Sequence, residues 1–171
     1  TTHNRFRIAL SRFLQRKEKH LMYSLDLSFL DWHLLQFGYH EGIKKCITDL
    51  NALYKNNPAM YEKQFHVDGF EWINYSDAEN AVLSYIRKGN DEKENIIVVC
   101  NFTPVVRTNY RIGLTTKGKL TEIFNSDKVE YGGSGVTNSK AIKIDKTPWN
   151  WKDYSAEIVL PPLGVTVFKI S

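Results

Sequence analysis

The sequence predicts a mainly β protein, an antiparallel β-sandwich preceded by a helical segment. The hydrophobic period changes from helical to alternating at Phe70, and the later apolar segments are short, β-branched or aromatic, and separated by turn residues. Aromatic residues make up 13% of the 171 residues, which is typical of a β-rich core or of stacking on flat ligands such as sugars. The 42% hydrophobic content excludes a disordered chain.

Two helices are predicted before the change of period. The first spans residues 4–21, where apolar residues recur at helical spacing opposite Arg and Lys. The second ends near Pro58, because proline lacks an amide hydrogen and pushes the preceding residue out of the helical region. The apolar stripe of this second helix consists of Ile43, Ile47, Leu50 and Tyr54, with Cys46 and Leu53 beside it. A short helical turn is expected after it, at 58–63. The predicted organisation is therefore a helical segment at 1–65 and an all-β domain at 66–171.

Eight strands are predicted in the second part. Ile96–Val99 is a continuous apolar run, which indicates a central strand buried on both faces. The remaining segments alternate and keep one wet face. The predicted strands are Phe70–Asn74, Ala81–Arg87, Asn95–Asn101, Tyr110–Leu114, Lys119–Asn125, Lys140–Asp145, Tyr154–Leu160 and Val165–Ile170.

The charge distribution argues against a nucleic-acid partner. The formal net charge of +4 arises near the amino terminus, whereas residues 57–171 hold fourteen basic and fourteen acidic residues. Binding to phosphates needs clustered Lys and Arg.

No apolar run reaches the roughly 18 residues of a membrane span, so no membrane partner is expected. Cys46 and Cys100 lie in apolar patterns, which fits a reducing compartment, and the cytoplasm is predicted.

No catalytic residue, metal site or cofactor is predicted. The acids are scattered, and those of the predicted loops, Asp77, Glu79, Asp91, Glu92 and Glu94, are interpreted as solvated charges. The five histidines have no Cys or acid at metal-binding spacing. Gly132–Gly135 lacks the Lys-Ser/Thr ending of a phosphate loop and is interpreted as a flexible crossing. Asn101 matches a glycosylation triplet, but the cysteine usage argues against secretion.

Aromatic residues are the better candidates for a site. A sugar ring presents apolar C–H faces that stack on indole and phenol rings. In Pro148-Trp149-Asn150-Trp151 the two indoles would point the same way if the segment is extended, which would make a stacking platform. The alternative is that Trp149 and Trp151 fill the interface between the sheet and the helical part, and Trp72 is interpreted as core or interface.

Several motifs, in order along residues 30–171, resemble the carboxy-terminal end of the bacterial-type 1,4-α-glucan (glycogen) branching enzymes of the α-amylase superfamily. Leu30-Asp31-Trp32-His33-Leu34-Leu35 is similar to that family's Leu-Asp-Trp-x-Leu-Leu. The others are His40–Ile43, Asp49–Tyr54, Pro58–Met60, Asp68–Ile73, Asp77–Asn80, Val98–Pro104, Tyr110–Gly113, Asn125–Asp127, Tyr131–Gly135 and Leu160–Leu163.

The resemblance implies a catalytic (β/α)8 barrel followed by a β-sandwich, of which this chain holds the last barrel helix and the sandwich. Family members transfer α-1,4-glucan chains to a 6-hydroxyl with an aspartate nucleophile and a glutamate acid/base. Those acids lie upstream of the Leu-Asp-Trp motif, so the chain alone is expected to be inactive. The implied partners are an α-glucan, glycogen or amylose, and the missing barrel. Trp32 joins Trp149 and Trp151 as a candidate carbohydrate-binding residue. Residues 1–29 depart from the family pattern and, without an initial Met, indicate a severed fragment.

Three hypotheses follow. The chain is the carboxy-terminal portion of a branching enzyme that supports the barrel and helps to hold the glucan. Alternatively, it is a free-standing carbohydrate-binding module that uses Trp149 and Trp151. The third is a structural interaction domain, which predicts an exposed apolar patch around the helix that contains Ile43 and Tyr54.

Overall fold

The computed structural model describes residues 32–171. The helix predicted at 4–21 lies outside the described residues. Within them, a 3₁₀ turn at Trp32–Gln36 leads into helix α1, Gly38–Asn56, which ends just before Pro58 as predicted. A second 3₁₀ turn at Pro58–Met60 stands where a short helical turn is expected.

Eight strands follow in the described chain and form two antiparallel sheets. Six strands make one sheet in the order β1-β2-β3-β8-β5-β6, and β4 pairs with β7 in a two-stranded sheet. The predicted antiparallel β-sandwich is thereby confirmed. The strands are β1 Phe70–Asp77, β2 Val82–Arg87, β3 Ile96–Asn101, β4 Arg107–Leu114, β5 Lys119–Asn125, β6 Ile142–Lys143, β7 Tyr154–Leu160 and β8 Val165–Ile170.

Strand β3 is central and buried on both faces, as its continuous apolar run predicts. Ile97 and Val99 face the main core, between the two sheets. Ile96 and Val98 face a second core, which α1 covers. The molecule therefore has three layers: the helix, the six-stranded sheet and the two-stranded sheet.

Three strands differ from their predicted lengths by more than one residue. Strand β1 continues three residues beyond Asn74, because irregular register against β2 carries the pairing on to Asp77. Strand β4 begins at Arg107, ahead of a bulge in which Asn109 has φ 57°. Strand β6 is only Ile142–Lys143, and beyond it a single bridge joins Asp145 to Ser155. Bulges and bridges of this kind depend on the partner strand, and hydrophobic alternation does not record them.

Helix α1 also lies in close contact with the loop that follows β5. Gly42 lies against Tyr131, where an added Cβ would come within 3.0 Å of the Tyr131 carbonyl carbon. The Tyr131 hydroxyl donates a hydrogen bond to Asp49 of α1. Burial and this bond raise the pKa of Tyr131 above its usual range. A glycine at residue 42 thus allows the helix to approach the loop that follows β5.

Helix α1 has a second apolar side. Cys46 and Leu53 face the sheet, whereas Ile47 and Tyr54 of the predicted stripe are 43% and 38% exposed. Tyr39, two turns before Ile47 on the same side, is also exposed. We call Tyr39, Ile43, Ile47 and Tyr54 the outer stripe, whereas Leu50 of the predicted stripe packs against the second core. The outer stripe is the exposed apolar patch that the interaction-domain hypothesis predicts.

Candidate functional site

The Gly132–Gly135 segment is ordered, so its interpretation as a flexible crossing is wrong. Asp127, which is buried, accepts hydrogen bonds from the Ser134 amide at 2.9 Å, the Ser134 hydroxyl at 2.5 Å and the Val136 amide at 3.1 Å. The Gly135 amide donates to the Asp127 carbonyl at 2.8 Å. This glycine-rich loop is folded around one carboxylate and has a structural role.

Two further motifs that resemble the family's also form hydrogen-bond networks that hold loops in place. Asn101 is buried, and its side-chain amide donates to the carbonyls of Val105 and Pro161, each at 2.8 Å. Its side-chain oxygen accepts from the amide and hydroxyl of Thr103. A fully bonded, buried amide is a poor glycosylation acceptor, which agrees with the expectation from cysteine usage.

The sequence analysis interprets Asp77 as a solvated loop charge, and this interpretation is wrong. Tyr110 donates to its carboxylate at 2.6 Å, and the amide and side chain of Asn80 donate at 2.9 to 3.1 Å. Burial alone would raise the pKa of Asp77, but these hydrogen bonds outweigh burial and lower it. Glu94 also has a partner, Lys169, at 2.6 Å.

A cleft opens beside this network, between β1 and the two-stranded sheet. It is open to solvent and has a volume of about 770 Å³. A smaller cavity of about 160 Å³ adjoins it and shares the walls formed by Asn74, Ser76 and Asn150. The larger cleft is lined by Asn74, Ser76, Asp77, Asn80, Val106, Arg107, Thr108, Asn109, Tyr110, Arg111, Trp149, Asn150 and Glu157.

The two tryptophans of the predicted platform lie at this cleft. Trp149 borders the larger cleft and is 48% exposed, and Trp151 borders the smaller cavity and is 91% exposed. Among the described residues, therefore, neither ring is buried in an interface with α1. Trp32 is exposed as well, but it lies at the 3₁₀ turn before α1 and is not among the residues that line the cleft.

The stacking platform required an extended segment at residues 148–151, and the structure shows a tight turn there instead. The amide of Trp149 donates to the carbonyl of Lys152 and the amide of Lys152 donates back to Trp149, both at 2.9 Å. The central residues, Asn150 and Trp151, have φ of 48° and 57°. This is the arrangement of a type I′ hairpin turn, which separates the two indoles.

The turn is anchored to β1 and β4. Lys152 donates to the Glu71 carboxylate, which also pairs with Lys88. Burial alone would raise the pKa of Glu71, but the two lysines outweigh it and lower the pKa. On the other side, the Gly113 amide donates to the Asn150 side chain at 3.2 Å.

The lining of the cleft fits binding better than catalysis. A general acid needs a pKa near the working pH, whereas the pKa of Asp77 is lowered and its oxygens already accept four hydrogen bonds. Within residues 32–171, no three His, Cys, Asp or Glu side chains are grouped so that they would hold a metal ion. None of the described helices is long and apolar enough to cross a bilayer.

Sequence reasoning missed the residues opposite the turn. Tyr75 is exposed and lines the smaller cavity with Trp151, and its ring lies 5.9 Å from that of Trp72. Asn74 and Asn109 line the larger cleft. An alternating strand with an outward Tyr or Asn looks like any wet sheet face, so no local signal marks these residues.

Comparison with known proteins identifies the family. The model of the alpha amylase C-terminal all-beta domain matches residues 72–171. The 1,4-alpha-glucan branching enzyme GlgB of Aquifex aeolicus is 45% identical over 140 residues, which cover 82% of this chain and 22% of the relative. The enzymes of the same name from Rubrobacter xylanophilus and Cellvibrio japonicus are 43% and 44% identical over 82% and 83% of the chain, and over 19% of each relative.

The chain thus spans about a fifth of the length of these relatives. The family model covers the strands from within β1 to the end of the chain, and the aligned length exceeds it by roughly the part that contains α1. The chain belongs to the alpha-amylase C-terminal all-beta domain family and is homologous to the carboxy-terminal portion of 1,4-α-glucan branching enzymes.

Proposed function

We propose that this chain is the non-catalytic carboxy-terminal part of a 1,4-α-glucan branching enzyme, which supports the catalytic barrel and helps to hold the glucan. In this proposal, residues 1–65 form the end of the barrel and residues 66–171 form the sandwich domain. The catalytic acids belong to the missing part, so the chain alone forms no α-1,6 branches. Trp32, Trp149 and Trp151 are the proposed glucan contacts.

The outer stripe of α1 is the observation that supports a barrel partner. A helix that packs on a sheet needs one apolar side, and α1 uses Cys46 and Leu53 for it. Its second apolar side exposes Tyr39, Ile47 and Tyr54. Helices that are apolar on two sides are typically buried between two layers. In a whole branching enzyme, the second layer would be the barrel.

A chimera tests this function directly. The matched 140-residue region of the Aquifex aeolicus enzyme is replaced by the corresponding part of this chain, to which it is 45% identical. We expect the chimera to branch amylose, measured as the loss of iodine absorbance, and the present chain alone to be inactive. A folded but inactive chimera, or a chain that branches by itself, would contradict the proposal.

A variant of the outer stripe locates the contact. Ile47→Asp places a charge on the stripe and is expected to lower the activity of the chimera at least tenfold, because an unpaired charge is costly in an apolar interface. Thr48→Asp adds the same charge to an exposed position elsewhere on α1 and is the matched control. Equal activity of the two variants would place the barrel contact elsewhere.

The free-standing carbohydrate-binding module is the alternative function. It would use the same cleft but would not need the outer stripe of α1. The relatives named as branching enzymes favour the first function.

We also propose a cytoplasmic location, which the burial of both Cys46 and Cys100 as thiols supports. Burial raises the pKa of the Cys100 thiol to about 12 and makes it unreactive.

A further inference from the structure

We propose that the cleft between β1 and the two-stranded sheet, together with the smaller cavity beside Trp151, is one continuous subsite for a linear α-1,4-glucan, with Tyr75, Trp149 and Trp151 as its stacking rings. The glucan class rests on the proposed function. The location of the subsite rests on the geometry of residues 70–160. The subsite is a binding site for the chain of the polysaccharide and performs no bond cleavage.

The shape of the cleft supports an extended ligand. The larger volume, about 770 Å³, lies within the range of roughly 300–1,000 Å³ that is typical of ligand sites. The smaller cavity continues it past Asn150, and exposed rings stand along both parts: Trp149 on the first, and Tyr75 and Trp151 on the second. Rings spaced along a groove suit a polymer of repeating flat units.

The charges of the cleft cancel, which favours a neutral ligand. Arg107 and Arg111 are matched by Asp77 and Glu157, and Arg111 pairs with Glu157 at 2.5 Å. An anion such as phosphate would meet no excess of positive charge there. Most of the uncharged polar lining groups are amides and hydroxyls, which can donate and accept hydrogen bonds as sugar hydroxyls require, although the amides of Asn74, Asn80 and Asn150 use part of this capacity within the chain. These amides and hydroxyls belong to Asn74, Ser76, Asn80, Thr108, Asn109 and Asn150.

Backbone strain concentrates at the same place. Three of the five non-glycine residues with positive φ among residues 32–171 line the two cavities: Asn109, Asn150 and Trp151. Asn tolerates the left-handed region, but a bulky residue there is an outlier that costs about 1–2 kcal/mol. Glycine would close the same turn without strain. An exposed Trp151 therefore serves neither the turn nor the core, and strain retained at an exposed ring is typical of a binding site.

The test is calorimetric titration of maltoheptaose into the 171-residue chain. Trp151→Gly keeps the turn geometry while it removes the ring, and we expect binding about five- to tenfold weaker, from the loss of one aromatic contact. Tyr75→Ala, on the facing strand, should weaken binding to a similar degree. Phe65→Ala removes an equally exposed ring away from the cleft and is the matched control, with unchanged affinity expected.

Each outcome decides the proposal. If the wild-type chain binds maltoheptaose but both cleft variants bind it equally well, the subsite is wrong, while glucan binding elsewhere and the chimera result still stand. If the wild-type chain does not bind, the subsite is also wrong, and the function is judged by the chimera alone. Binding of inorganic phosphate in competition with maltoheptaose would overturn the preference for a neutral ligand.

Discussion

The glycine-rich loop after β5 and the turn at Trp149–Lys152 are both short connections on one sandwich, but different residue types occupy their left-handed backbone positions. In the first, four residues rich in glycine wrap around the buried Asp127, and every residue with a positive φ is a glycine. In the second, Asn150 and Trp151 occupy the left-handed region although no glycine is present. Glycine marks where the fold needs an unusual backbone. A large residue that is almost fully exposed in the same conformation, as Trp151 is, points to a selection of the side chain by something other than folding.

The largest effect is expected in the glycine-rich loop. Asp127→Ala removes a buried carboxylate that accepts three part-buried hydrogen bonds, so the free energy of unfolding should fall by about 3 kcal/mol. Urea unfolding of the chain measures it. Asp153→Ala, at an exposed position, is the control and should change stability by less than about 0.5 kcal/mol. A loss of similar size in both variants would mean that the Asp127 network contributes nothing.

An intermediate effect, dependent on pH, is expected at the anchor of the tryptophan turn. The pKa of Glu71 is lowered in the folded state, so its contribution to stability is present above its ordinary pKa of 4.5 and is lost as the pH falls through the lower, folded value. Glu71→Gln should therefore cost about 1 kcal/mol at pH 7, and its difference from wild type should shrink in acid. Unfolding curves of both proteins at pH 7 and below pH 4.5 measure this. A difference that is independent of pH would show that the carboxylate charge is not involved.

The smallest effect, and the one of opposite sign, is expected at Trp151. Trp151→Gly relieves strain of about 1–2 kcal/mol, while the greater chain entropy of glycine costs about 0.5–1 kcal/mol, so the variant should be more stable by about 0.5–1 kcal/mol. Thermal unfolding measures it. Trp151→Ala keeps the strained φ and should gain nothing. Destabilisation by Trp151→Gly would mean that the ring supports the fold and would remove the strain argument for the subsite.

Much of the sandwich was predictable from local patterns. The end of α1 before Pro58, the central position of Ile96–Val99 and the bounds of β5, β7 and β8 all follow from proline chemistry and hydrophobic period. These features depend on neighbouring residues of the chain. The family motifs were also readable in order, although they proved to be networks that fix loops around Asn101 and Asp127.

The candidate site was only half predictable. Trp149 and Trp151 stand out in the sequence because two tryptophans lie two residues apart in a segment outside the predicted strands, but Tyr75 and Asn109 look ordinary. Their position at the cleft depends on the bulges in β1 and β4 and on the approach of β1 to the two-stranded sheet. None of these can be deduced from residue spacing.

The sequence by itself determined the fold class, the strand order along the chain and the two tryptophans of the candidate site, because period, turn chemistry and residue size are local properties. The tertiary structure decided which side of α1 meets the sheet, that residues 149–152 form a turn, and that Asp77 is bonded to Tyr110. The contacts responsible join distant residues, such as Glu71 and Lys152, 81 positions apart. Such pairs form only when the sheets set the register of one segment against another, so packing, and not local preference, assembles the cleft.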